Sequence, residues 1–169
     1  MKKVALVIAQ EYFRDEEYLE PKKVLESAGI QVVTASQKKG IATGKLGAKV
    51  QADISMKDLD PKDLDGIFFI GGPGASVYFN DKAAHEILKS AYNQGKLIGA
   101  ICAGPAVLAS AGLLKGKKAT SFSGVEPYLI KGEAILTRAA VEKDGRIITA
   151  DGPASAAQFG HEIAKALGR

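Results

Sequence analysis

Tryptophan is absent from this chain of 169 residues, which holds one cysteine, two histidines and two methionines. A lone cysteine cannot form an internal disulfide or build a cysteine-rich metal site. A cytoplasmic, reducing location is the natural expectation. Histidine, cysteine and carboxylates do not cluster at ligand spacing, so no metal is expected, and no cofactor is called for. Long apolar runs are missing as well. The run that follows Met1-Lys2-Lys3 is about six residues long, too short for a signal peptide or a membrane span, so no membrane partner is expected. Basic patches interleaved with aromatics are also lacking. The net charge of +4 comes from mostly alternating signs, and the densest run, Lys115-Gly116-Lys117-Lys118, reads as a solvated loop. No nucleic-acid partner is expected from that pattern.

What is present fits one soluble domain over 1–169. Apolar residues make up 46% and charged residues 25%, and a chain of this length can bury a proper core. Val4 to Ala9 is a continuous β-rich apolar run, the mark of a strand covered on both faces. Leu19, Val24, Leu25 and Ala28 stand at helical spacing between Glu17 and Ala28, and Gly29 stops that helix. Strands are expected at 30–35, 67–70 and 97–101, with a hairpin punctuated by Gly40, Gly44 and Gly47. Asp81 caps a helix carrying Ile87, Leu88, Ala91 and Tyr92, and Gly104-Pro105 opens another that ends near Gly112. Asp144-Gly145 joins a second hairpin, 139–143 with 146–150, and a last helix spans about 154–167. Strands alternating with helices imply an α/β fold, a mostly parallel sheet with helices on both faces.

Ligands in such sheets bind at the C-terminal strand ends. Three of these ends carry unusual residues: Ala9 to Glu17, Gly71 to Gly74, and Cys102. Cys102 lies between a buried strand and a helix, flanked by Ala100, Ala103 and Gly104. A turn this sharp needs small neighbours and forces its central residue into a sparsely populated conformation. The following helix N-terminus is expected to lower the thiol pKa and make Cys102 reactive. Backbone N–H groups of Gly71, Gly72 and Ala103 are candidates for an oxyanion hole. Glu16 and Glu17 start the first helix. Either could complement its dipole, and a carboxyl buried against the thiol would have to share a proton with it. His85 and His161 fall within expected helices, away from the strand ends.

These segments together resemble the DJ-1/PfpI (ThiJ) superfamily over nearly the whole chain. The resemblance rests on Ile70-Gly71-Gly72-Pro73-Gly74, Ala100-Ile101-Cys102-Ala103-Gly104-Pro105, Val141 to Gly145 and Ile147 to Pro153. It implies a flavodoxin-like three-layer sandwich, a homodimer or higher homo-oligomer, and Cys102 on a nucleophile elbow. Family members carry a glutamate four residues before a proline in the first helix. Pro21 fits that proline, so the resemblance points to Glu17 and not Glu16 as the partner of Cys102. The departures are equally specific. PfpI-type peptidases have a histidine after the cysteine, where this chain has Ala103, and a glutamate after the Gly-Gly turn, where it has Ser76. DJ-1-like members often carry a histidine about twenty residues on, where this chain reads Thr120-Ser121-Phe122-Ser123.

The resemblance therefore implies a cysteine-dependent enzyme acting on a small-molecule carbonyl substrate, a glutathione-independent glyoxalase or deglycase using Cys102 and Glu17. A non-enzymatic redox sensor or stress chaperone with an oxidisable Cys102 is the alternative. An intracellular PfpI-type cysteine peptidase is the third reading.

Overall fold

A computed structural model describes all 169 residues. In chain order the elements are β1 (Lys3–Val7), β2 (Glu11–Phe13), α1 (Asp15–Ser27), β3 (Gln31–Ser36), β4 (Gly40–Gly44), β5 (Lys49–Ala52), β6 (Ile54–Ser55), β7 (Gly66–Phe69), α2 (Lys82–Asn93), β8 (Leu97–Ile101), α3 (Pro105–Ser110), β9 (Lys118–Ala119), α4 (Glu126–Lys131), β10 (Ile135–Leu136), β11 (Val141–Asp144), β12 (Ile147–Ala150) and α5 (Ala156–Ala166). Seven strands form the central sheet in the order β11-β12-β8-β7-β1-β3-β6. All of its pairs are parallel except the edge pair β11–β12. This is the α/β, flavodoxin-like arrangement expected from the sequence.

The continuous apolar runs follow from burial on both faces. Along β1, Ala5 and Val7 join the core under α2, α3 and α4, whereas Val4 and Leu6 join the core under α1 and α5. Phe68 and Phe69 divide in the same way, Phe68 meeting Phe159 edge-on and Phe69 meeting Tyr78. Side chains alternate along a strand, so one run supplies both layers.

Both expected hairpins form. β4 pairs antiparallel with β5, and β11 with β12. The side chain of Asp81 accepts from the Ala84 N–H and caps α2. The short parallel pair β9–β10 and helix α4 had no clear periodic signal.

Helix α1 departs from the expected apolar stripe. Leu19 is exposed, and Val24 and Ala28 are only half-buried; the inward face carries Asp15, Glu17, Tyr18, Pro21 and Leu25. The helix is thus rotated so that two carboxyl groups turn toward the protein. A hydropathy pattern cannot place such groups inside. Gly160 of α5 packs on Pro21 and Val24 of α1, where a Cβ would already be 3.0 Å from Pro21 Cα, so the two helices approach closely over this segment.

Candidate functional site

Chain order reverses across β1: β3 and β6 extend the sheet on one side, β7, β8 and β12 on the other. A crevice at the C-terminal strand ends is the usual consequence of such a switch point. The segment after β1, the Gly-Gly turn after β7 and Cys102 after β8 meet there.

Cys102 has φ +61°, a left-handed conformation that is uncommon and strained for a residue with a side chain. Two hydrogen bonds hold it: its N–H donates to Ala150 O at 2.9 Å, and its carbonyl accepts from the Phe122 N–H at 2.8 Å. The side chain is half-buried and lines a pocket of about 440 Å³ together with Glu17, Gly72 and Ala103. The N–H groups of Ala103 and Gly72 favour the anionic form of the sulfur.

The Gly71-Gly72 turn admits nothing larger than glycine. Gly72 has φ +103°, and a Cβ there would strike the backbone of Arg14 and Tyr12. A Cβ on Gly71 would sit 2.6 Å from Glu17 Oε1 and 2.7 Å from both Cys102 Cβ and Ile101 O. Gly71 also accepts from the Arg14 N–H at 3.0 Å through its carbonyl, tying the turn to the start of α1. Its own N–H favours the charged form of the Glu17 carboxyl. The sequence grouped three N–H groups as oxyanion donors. In the structure those of Gly72 and Ala103 favour the charged form of the sulfur, and that of Gly71 favours the charged form of Glu17.

Glu17 is fully buried, and neither carboxyl oxygen has a partner at full hydrogen-bond geometry. The groups that favour its charge are the Cys102 thiol, then the Arg14 guanidinium, then the Gly71 N–H. Burial dominates and raises its pKa from 4.5 to about 7. The backbone is loosened at the same residue, since Pro21 cannot donate the N–H that would close a helical bond to the Glu17 carbonyl. Glu16 points away. It forms a two-pronged pair with the Arg14 guanidinium at 2.9 and 3.0 Å, which lowers its pKa.

The expected lowering of the Cys102 pKa by the helix N-terminus does not hold. Burial, then the charge of an ionised Glu17, push the thiol up to about 12, and the Ala103 and Gly72 N–H groups offset only part of this. Helix α3 has just six residues, and its dipole is correspondingly small. The two groups titrate as a pair. With the proton on Glu17 the repulsion disappears and a carboxyl O–H faces the sulfur, so a thiolate is favoured only when Glu17 is neutral.

The other walls of the pocket include Phe79, Phe122, Val125 and Pro153, with Arg14, Lys45 and Ser76 at its edges. Phe122, exposed, occupies the region in which the resemblance implies a histidine in DJ-1-like members. The two histidines lie elsewhere: His85 is bonded through Nε2 to Phe79 O at 2.8 Å, and His161 is exposed on α5. Sequence reasoning missed Arg14, Lys45 and Asp15. Asp15 is buried and accepts from the N–H groups of Leu46 and Ala48 at 2.8 Å each, holding the β4–β5 turn over the pocket. A run of three acidic residues opening a helix gave no sign that the first would reach across to a hairpin.

Comparison with known proteins gives the chain its relatives and agrees with the fold. A family model described as "DJ-1/PfpI family" matches residues 2–166. An uncharacterized protein of Methanocaldococcus jannaschii is 43% identical over 98% of this chain and 82% of its own length. The deglycase PfpI of Pyrococcus furiosus is 33% identical over 96% of this chain and 98% of its own. The crystal structure of a ThiJ/PfpI domain protein from Brachyspira murdochii superposes with a TM-score of 0.96 at 30% identity, covering 98% of this chain and 96% of that one.

Proposed function

The chain belongs to the DJ-1/PfpI family, and from that premise we propose that it is a cysteine-dependent enzyme that converts small reactive dicarbonyls, a deglycase or glutathione-independent glyoxalase. The observation that carries this reading is a fully buried, unpartnered Glu17 carboxyl set against a strained Cys102. Several relatives bear the name deglycase, among them the Pyrococcus proteins at 32–33% identity.

The chemistry needs only these groups and water. The Cys102 sulfur bonds to the aldehyde carbon of a 2-oxoaldehyde. The C=O electron pair moves onto oxygen, which takes up the thiol proton by way of Glu17. The resulting hemithioacetal oxygen sits among the N–H groups of Gly72 and Ala103. Glu17 as carboxylate then removes the C1 proton and as acid returns it to C2, while the hydroxyl proton passes from the C1 oxygen to the C2 oxygen through water, leaving a thioester of a 2-hydroxy acid. Water cleaves the thioester, so the net change is addition of one water and the thiol is regenerated. A base with a pKa near 7 is suited to both halves of the proton transfer.

Incubation of the protein with methylglyoxal provides the test. Lactate formation that is lost in Cys102→Ser supports the reading, and lactate no higher than that of Cys102→Ser rejects it.

One observation favours a second reading. The N–H groups of Gly72 and Ala103 and a protonated Glu17 would also bind the oxygens of a cysteine sulfinate, as a redox sensor requires. Mass spectrometry after mild peroxide decides it: arrest at the sulfinate supports a sensor, while an unmodified thiol or runaway sulfonate argues against one. The peptidase reading gains no such support, since no histidine lines the pocket.

A further inference from the structure

Lys45 carries the free positive charge of the pocket. The side-chain ion pairs of the chain join Arg14 to Glu16, Lys22 to Glu26, Lys82 to Glu86, Lys115 to Glu133 and Arg138 to Glu126. Lys45 takes part in none of them, although its side chain lines the pocket that holds Cys102. Its place is built into the fold. The Lys45 N–H donates to Phe13 O at 2.8 Å, and the next turn residues are bound to the buried Asp15. At Gly44 a Cβ would collide with the Asp15 carboxyl, so the turn can close onto α1. Asp15 and Glu17 belong to the same helical turn, and the lysine is therefore positioned by the segment that carries the carboxyl beside the sulfur.

The charge balance of the pocket is one-sided. Among its lining residues the cations are Arg14 and Lys45, and the sole carboxyl is Glu17, which burial pushes toward its neutral form. Glu16 neutralises Arg14 in a two-pronged pair. Lys45 acts on Glu16 as well, through space and without an ion pair, so two cations share one half-buried carboxylate at a pocket also lined by Phe79, Phe122 and Val125. A neutral substrate such as methylglyoxal offers an ammonium carbonyl oxygens but no countercharge.

We propose that this pocket selects 2-oxoaldehydes bearing an anionic group, a carboxylate or a phosphate, which Lys45 holds while the Cys102 sulfur meets the aldehyde. The selection rests on the carbonyl reading above and is specific to the arm on which Lys45 stands. Lys45 is a specificity residue that contacts the part of the substrate away from the reacting carbons.

Cys102 is the only cysteine, so its alkylation reports the local potential without turnover. The rate ratio of iodoacetate to iodoacetamide at low ionic strength is measured in the natural protein and in Lys45→Arg, Lys45→Met and Lys45→Glu. The expected ratio falls about tenfold in Lys45→Met and further in Lys45→Glu. It is retained in Lys45→Arg and declines with added salt in the natural protein, as screening requires. An equal ratio in all four proteins overturns the proposal, as does a thiol that neither reagent reaches. Turnover separates the ligand sources: 2,3-dioxopropanoate presents a carboxylate, 3-phosphooxy-2-oxopropanal a phosphate, and methylglyoxal neither. Preference for one of the two anions by tenfold or more in kcat/KM, reduced by Lys45→Met, supports the proposal and names the anion. Preference for methylglyoxal overturns it. If none of the three is turned over while the alkylation ratio still depends on Lys45, the carbonyl reading fails and anion selection by the pocket stands.

Discussion

Glu17 Oε1 and Cys102 Cβ converge on one empty spot beside Gly71, each within 2.7 Å of the point where a Cβ on that glycine would stand. The carboxyl and the thiol-bearing carbon thereby share the space that a side chain on Gly71 would fill. Fixing two reacting groups in this way is worth more to a reaction than either group alone.

Gly71→Ala is the most direct probe of this relationship. The new methyl must displace Glu17, Cys102 or the Ile101 carbonyl, and overpacking of this kind destabilises by about 1–3 kcal/mol. The expected result is a lower denaturation midpoint together with at least a tenfold loss of dicarbonyl turnover. Turnover equal to that of the natural protein would show that the contact beside Gly71 has no bearing on the chemistry.

Glu17→Gln separates charge from shape. Burial raises the Glu17 pKa from 4.5 to about 7 in the folded state. Stability linked to this group is therefore fully present below pH 4.5 and lost as the pH rises through 7, by an amount on the order of 3 kcal/mol. Chemical denaturation at pH 4.5 and pH 8 should show this loss in the natural protein. Glu17→Gln should lack that component and be the more stable of the two at pH 8. Turnover should fall by about 10²–10⁴-fold, the usual contribution of a general base.

The same variant acts on the thiol. After burial, the largest influence raising Cys102 is the charge of Glu17, and glutamine removes it. The pH midpoint for alkylation of Cys102 by iodoacetamide should move down from about 12 in Glu17→Gln. An unchanged midpoint would mean that the two groups do not titrate as a pair.

Asp15→Asn tests the tie between α1 and the β4–β5 turn. Asparagine keeps the shape but withdraws the charge and has one acceptor oxygen for two donors, Leu46 N and Ala48 N, so one of the two bonds is lost. The expected loss is about 1–3 kcal/mol of stability. Hydrogen exchange at the Leu46 and Ala48 amides should quicken with it, while amides in β1 and β8 remain protected.

Much of this molecule is legible from local patterns. The apolar runs of β1, β7 and β8 can satisfy their hydrogen bonds and bury both faces only inside a parallel sheet, so strand identity and fold class follow from them. The strained turn at Cys102 is equally local, because its flanking small residues are adjacent in the chain. Helix α4 and the β9–β10 pair were not legible, being six and two residues long and held by contacts from distant segments.

Local order could not rank Glu16 against Glu17, which share a helical turn and a charge. Packing made the distinction, rotating α1 on α5 so that Glu16 reached solvent and Arg14 while Glu17 entered the core. Nor could it give the state of the thiol: an adjacent helix N-terminus argued for acidity, yet burial and a carboxyl eighty-five positions away push the other way. The sequence by itself determined which residue would stand on the elbow, since backbone strain and small neighbours are properties of consecutive residues. Only the tertiary structure decided which proton it shares and which charge overlooks it, because desolvation and Coulomb energy depend on what the fold brings within a few ångströms.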